Sequence, residues 1–258
     1  MKRLLFLAMF FNQAKAAPLI IAHRGASFFA PETTKAAYIL AIKQNADYLE
    51  ADVQRTKDGI LVLYHDPNLK RTTNVKQIFP ERQNKSVSAF SLKELKSLDA
   101  GSWFNKAFPK KAKKEFENAK ILTLDDFLKM AKGKKIYLET KNPEWYPNIE
   151  KQLADKLKNW PKENLILQTF SEESLIKLNK EMPSVQKCFL MNSDFIEKSL
   201  WAANKATFIG LPLSSYSNQI AKFIHSLGLK IHIYTVNKDM KRFENENGIF
   251  SDLGKKRE

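Results

Sequence analysis

The chain has 258 residues, 43 lysines and arginines against 28 aspartates and glutamates, a formal charge of +15 and a single cysteine. With 43% hydrophobic residues it can fill one large core, which excludes a disordered chain, and its lone Cys188 excludes an internal disulfide. The positive charge favours anionic partners, but the chain has no nucleic-acid motif, aromatic-basic repeat or zinc-ligand spacing, so no nucleic-acid partner is expected.

Lys2 and Arg3 precede the apolar run Leu4–Phe11, and Ala14-Lys15-Ala16 has the form of a leader cleavage site. The run is too short to span a bilayer. Residues 1–16 are therefore expected to be a signal peptide, and residues 17–258 a single exported domain, periplasmic or secreted. Leu19–Ala22 reads as a strand that breaks into His23-Arg24-Gly25. The residues after Pro31 read as a helix with Ala36, Ala37, Ile39, Leu40 and Ile42 on its apolar face. Tyr48–Val53 reads as a strand, on which Glu50 and Asp52 share one face. Asp58-Gly59, between that strand and the apolar run Ile60–Tyr64, signals a hairpin. With Asp58 and Gly59 as its two loop residues, His65 falls opposite Asp52.

Residues 66–120 form an insertion before the next barrel strand. Ser91 and Glu94 make a capping box, and Thr123 and Asp126 cap a second helix that Gly133 ends. The lysine-rich stretch 106–120 reads as a solvated, mobile loop; its charge also allows weak contact with an anionic membrane surface. Further strand runs follow at Ile136–Thr140, Leu165–Gln168, Lys187–Met191, Thr207–Leu211, Lys230–Val236 and Gly248–Ser251. Helical patterns separate them at Pro147–Asn159, Ser171–Lys180, Ser193–Ala203, Ser217–Leu227 and Lys238–Asn245. Without the hairpin's return arm the strands number eight, as an α/β chain folded into an eight-stranded β/α (TIM-type) barrel requires. Cys188 is expected to be a buried strand thiol, and His225 and His232 to be structural.

A Glu-x-Asp pair alone is ordinarily a solvated strand face, and a lone histidine is ordinarily structural. Here two carboxylates, two histidines and an arginine fall at strand ends within one short stretch, and that conjunction fits metal-assisted phosphoryl chemistry. The same residues resemble the glycerophosphodiester phosphodiesterase family, within the phosphatidylinositol-specific phospholipase C-like superfamily. The resemblance is carried by His23-Arg24-Gly25-Ala26-Ser27, by Pro31-Glu32 seven residues after Arg24, by Glu50-x-Asp52-Val53, by Thr56-Lys57-Asp58-Gly59 and by His65-Asp66. Weaker echoes are Ser97–Phe104, Gln168-Thr169-Phe170, Tyr234-Thr235-Val236-Asn237 and Gly248–Asp252.

The resemblance makes Glu139 a third metal carboxylate and Lys141 a phosphate-binding lysine. Glu50, Asp52 and Glu139 would then offer oxygen ligands to one divalent cation, Ca²⁺ or Mg²⁺. Arg24 can hold two phosphate oxygens in its fork, and Lys141 and Tyr234 complete the substrate contacts. His23 and His65 suit general base and general acid, roles that sequence leaves interchangeable. The implied substrate is a small glycerophosphodiester, cleaved to glycerol 3-phosphate and an alcohol, by water or through a cyclic phosphate. A lysophospholipase D or sphingomyelinase D-like activity on lipids is the alternative, and a non-catalytic anion-binding protein is a further one. Three residues depart from the family pattern: Thr33 where Asn is usual, Tyr234 where Trp is, and Thr169 where Ser is. They are expected to reshape the alcohol side of the pocket. The oligomeric state is left open.

Overall fold

A computed structural model describes residues 19–236 and, as backbone, 248–251. The leader-like residues 1–16, the expected helix Lys238–Asn245, Asn237 and Asp252 lie outside the described residues. Strands β1 (Leu19–Ala22), β2 (Tyr48–Arg55), β3 (Leu61–Leu63), β4 (Lys135–Thr140), β5 (Leu165–Thr169), β6 (Gln186–Leu190), β7 (Phe208–Pro212), β8 (Lys230–Tyr234) and β9 (Gly248–Ser251) form one sheet. All but β3 run parallel, and β1 pairs with both β2 and β9, so the sheet closes into the expected eight-stranded barrel. The antiparallel β3 takes the edge of β2 that lies beyond β1.

Two-residue alternation sorts each strand between two cores. On β2, Leu49, Ala51 and Val53 pack outward with Tyr38 and Ala41 of α1 (Lys35–Lys43). Tyr48 instead joins Ile21, Tyr137, Ile166, Cys188 and Phe208 inside the barrel. Glu50 and Asp52 share its face and rise above that apolar plug. On the far side, Phe189, Ile209, Leu211, Ile231 and Ile233 pack outward in a second helix-covered cluster. Each such fully buried aliphatic side chain contributes about 1.5–3 kcal/mol relative to exposure.

Three expectations change. The hairpin pairs Val53 with Leu63, Gln54 with Val62 and Arg55 with Leu61, so Tyr64, not His65, lies opposite Asp52. The loop has three residues, Lys57-Asp58-Gly59, closed by Thr56 N–H to Ile60 O at 2.9 Å, with Gly59 at φ 83°. A three-residue loop needs its left-handed position filled by glycine, and this shifts the register by one. The first helix starts at Lys35 with Thr34 as its N-cap, because Glu32 and Thr33 fold back onto Arg24.

The insertion is also built rather than loose. It carries α2 (Val75–Ile78), α3 (Leu92–Ser97) and α4 (Ser102–Ala107), and buries Leu69, Val75, Val87, Phe90 and Leu95 on Val62 and Tyr64. Residues 106–120 include 3-10 turns at Pro109–Lys111 and Lys114–Phe116, and Phe116 is buried with Phe104 against Ala30 and Ala37. The lysines of this stretch stay largely exposed, as read, while Phe116 anchors it to the domain.

The capping boxes at Ser91/Glu94 and Thr123/Asp126 form as read, the second opening α5 (Leu124–Met130). The later helices are α6 (Ile149–Leu157), α7 (Glu172–Glu181), α8 (Phe195–Ala202) and α9 (Asn218–Ser226), with Ser171 capping α7 and Ser217 capping α9. No helix among the described residues is long and apolar enough to cross a membrane.

Gly25, at φ 80°, brings the β1–α1 loop against α1: a Cβ there would lie 2.8 Å from the Ala37 carbonyl carbon and Cβ. At Gly59 (φ 83°) a Cβ would meet nothing within 4 Å. Gly59→Ala should therefore lose only the left-handed backbone cost, about 1–2 kcal/mol, and Gly25→Ala distinctly more. Urea denaturation of both variants checks this, and equal losses would contradict the close packing of that loop.

Candidate active site

The barrel's C-terminal mouth holds a cavity of about 180 Å³. One wall carries His23, Arg24, Glu50, His65, Glu139 and Lys141; the other carries Gln168, Phe170, Leu190, His232 and Tyr234. The position follows from topology, since β/α barrels present their strand ends and βα loops there.

Three carboxylates form the floor of the charged wall. Glu50, Asp52 and Glu139 are buried, and each offers an oxygen within 4.8 Å of the others. Strand pairing sets this, because Asp52 on β2 is the register partner of Glu139 on β4. The Arg24 backbone N–H donates to Glu50 Oε2 at 2.7 Å, and Gln168 Nε2 donates to Glu50 Oε1 at 3.1 Å. Lys141 Nζ lies 2.8 Å from Glu139 Oε1 and 3.6 Å from Asp52 Oδ1. Arg24 Nε lies 3.5 Å from Asp52 Oδ2. Both Asp52 oxygens are nonetheless buried without a hydrogen bond among the described residues.

The electrostatics follow from this crowding. Burial, then the charges of Asp52 and Glu139, push Glu50 well above the usual carboxylate range. Burial and Asp52 push Glu139 up to about 7 against the pull of Lys141. Burial opposes ionisation of Asp52 too, but Lys141, His65 and Arg24 outweigh it and hold Asp52 at about 2. A cluster of this kind, all oxygen and short of positive charge, fits a hard divalent cation. The same three residues could therefore hold a metal ion.

Burial and the neighbouring Arg24 push His23 well below its ordinary value, leaving it neutral. His65 Nδ1 lies 2.7 Å from Asp66 Oδ1, so Nδ1 carries a proton toward that carboxylate, and Nε2 has no hydrogen-bond partner among the described residues. Sequence reading gave no role to the groups behind it. Arg71, from the insertion, binds Asp66 at 2.6 and 2.9 Å and Glu32 at 2.7 Å through two nitrogens. Glu32 in turn holds Arg24 Nη1 at 3.1 Å. Burial disfavours the Asp66 charge, but hydrogen bonds from His65 and Arg71 hold it below the ordinary range.

The expected site residues His23, Arg24, Glu50, His65, Glu139, Lys141 and Tyr234 thus line one cavity, and Asp52 is buried beside Arg24 and Lys141. His225 is structural as read, with Nδ1 3.1 Å from Leu229 O. His232, also read as structural, is buried against Tyr137 and lines the cavity. The signal was available: it shares its strand face with Tyr234, two residues on. Of the three departures, Tyr234 lines the cavity, and its hydroxyl donates toward Met191 O and Asn192 Oδ1, both at 2.8 Å. Thr33 and Thr169 are not among the lining residues. Thr33 is held at φ 55° in the β1–α1 loop, and Thr169 is fully buried with its hydroxyl accepting from Ser171 N–H.

Residues 23–254 match the family model described as the glycerophosphoryl diester phosphodiesterase family. A Bacillus subtilis glycerophosphodiester phosphodiesterase is 36% identical over 234 residues, covering 86% of this chain and 77% of that protein. The crystal structure of a glycerophosphodiester phosphodiesterase from Agrobacterium tumefaciens superposes with a TM-score of 0.74 at 28% identity, covering 92% of this chain and 96% of the other. An Oleispira antarctica phosphodiesterase, solved in complex with the product sn-glycerol-3-phosphate, has a TM-score of 0.75 at 27% identity, covering 92% and 93%.

With Glu139 at about 7, a divalent cation arriving below that pH must displace its proton. Affinity should therefore fall as pH drops below about 7, with proton release on binding at pH 6. Calorimetric titration of Ca²⁺ or Mg²⁺ in two buffers of different ionisation heat reads both. Affinity that stays flat between about pH 5.5 and 7.5 would mean that these carboxylates are not the ligands.

Proposed function

The chain belongs to the glycerophosphoryl diester phosphodiesterase family, and from that premise we propose that it hydrolyses small glycerophosphodiesters to glycerol 3-phosphate and an alcohol in a divalent-cation-dependent reaction. The observation that carries the proposal is the buried Glu50–Asp52–Glu139 cluster, flanked by Arg24 and Lys141, with two histidines lining the same small cavity.

A phosphodiester is an anion that repels nucleophiles, so positive charge must be waiting for it. Arg24 and Lys141 supply that charge from the chain. Burial opposes it, but the nearby carboxylates outweigh burial and raise both groups above their ordinary values, so both stay protonated. A divalent cation on Glu50, Asp52 and Glu139, Ca²⁺ or Mg²⁺ by the all-oxygen donor set, would further neutralise the phosphate and polarise it.

Neutral His23 is the natural proton acceptor from the attacking hydroxyl, whether of water or of the glycerol itself. His65, with Nδ1–H committed to Asp66, would carry a second proton on Nε2 and pass it to the oxygen of the departing alcohol. Arg71 fixes this geometry by tying Asp66 to Glu32, and so ties the orientation of His65 to the Arg24 wall. Phe170 and Tyr234, with rings 5.9 Å apart, give the opposite wall a less charged surface for the organic part of the substrate.

The direct test is release of glycerol 3-phosphate from glycerophosphocholine by the purified protein. Release should stop with EDTA and return with Ca²⁺ or Mg²⁺. His23→Ala and His65→Ala should each lose roughly 10²-fold or more. Turnover confined to lysophospholipid, or unchanged by chelator, would overturn the proposal.

Arg71→Lys keeps the charge but loses the planar fork. It should lower kcat by about 10- to 100-fold while leaving metal affinity close to wild type. An equal loss of metal affinity would show that Arg71 supports the carboxylate cluster instead of His65.

A further inference from the structure

Tyr137 on β4 and His232 on β8 reach toward each other across the barrel from opposite positions in the ring. The Tyr137 hydroxyl lies 3.2 Å from His232 Nδ1, and the two rings meet edge to face with centroids 5.2 Å apart. Cys188 Sγ lies 3.8 Å from the same nitrogen. One side of the imidazole is therefore taken. The other, Nε2, is buried and has no hydrogen-bond partner among the described residues, although the ring lines the catalytic cavity. Buried polar groups are almost always paired, so an unpaired one on a ring that lines a cavity is available to a hydrogen-bonding ligand atom.

The surroundings say which kind of atom. Burial pushes His232 down to about 3, so the ring is neutral at working pH and has no charge to attract a phosphate. The cations that can do so, Arg24 and Lys141, belong to the β1 and β4 strand ends, and each is paired with the carboxylate cluster. His232 lies two residues below Tyr234, about 7 Å deeper along the strand. Leu190, Gln168 and Tyr234 line the cavity with it, and the Gln168 amide is already turned to Glu50. A neutral imidazole nitrogen at the closed end suits a hydroxyl, which can donate or accept and so answers either ring tautomer.

We propose that His232 Nε2 binds a glycerol hydroxyl of the substrate, and that Tyr137 is the positioning residue that holds the ring for it. This rests on the glycerophosphodiester reading of the site. It makes His232 a specificity-determining contact: it selects the glycerol half, while the charged wall takes the phosphate.

Calorimetry on the protein with saturating Ca²⁺ or Mg²⁺ tests this with two probes, sn-glycerol 3-phosphate and inorganic phosphate. His232→Leu should weaken the glycerol compound about tenfold and leave inorganic phosphate within about twofold of wild type. His232→Gln, which keeps a donor and an acceptor and covers the case of a poorly folded Leu variant, should restore part of the loss. Tyr137→Phe should raise KM for glycerophosphocholine with kcat little changed, at an intact far-ultraviolet spectrum. Parallel loss of both probes would place His232 on the phosphate or in the structural core, and unchanged binding of both would remove it from the site; either overturns the inference. Failure of the wild-type protein to release glycerol 3-phosphate would count separately, against the reaction itself.

Discussion

Three carboxylates held within 4.8 Å of one another and out of water govern this molecule. Buried like charges repel strongly and are tolerated only with compensating charge or protonation. The barrel supplies the first through Arg24 and Lys141, and the second through the raised values of Glu50 and Glu139. Only Asp52 keeps a firm negative charge, and it sits between the two cations. The three residues that could hold a metal ion are thus the same ones that hold Arg24 and Lys141 in place.

The compensation spreads outward by hydrogen bonds. Arg24 leans on Glu32, Glu32 on Arg71, Arg71 on Asp66 and Asp66 on His65. Arg71 belongs to the insertion, so a segment outside the barrel repeat completes the support of a barrel residue. The apolar seating of that insertion on Val62 and Tyr64 of the hairpin, and of Phe116 near Ala30 and Ala37, holds the arginine in reach. Packing and electrostatics here serve one requirement, which is a fixed distance between the two histidine-bearing loops.

Much of this was legible in sequence because strands obey a period of two. That rule put Glu50 and Asp52 on one face, and Glu139 and Lys141 on another, and the eight strand runs fall where they were read. The hairpin register slipped by one because the Asp-Gly signal does not reveal whether Lys57 belongs to the strand or to the loop. Arg71 and Glu32 escaped assignment since nothing local marks a salt bridge between residues 39 positions apart. His232 escaped for a different reason: its strand face was readable, but its unpaired nitrogen is a property of what surrounds it, and that appears only with the barrel closed.

The closure itself has a consequence for how the chain is made. β1 carries His23 and Arg24 at its end, yet one of its two neighbours is β9, at Gly248–Ser251. Until that strand arrives, the Arg24 wall is the bare edge of a growing parallel sheet, with unpaired backbone groups able to recruit another chain. The first charged wall to be synthesised is thus the last to be sealed. During biogenesis, self-association rather than misplacement of the carboxylates is the hazard this architecture carries.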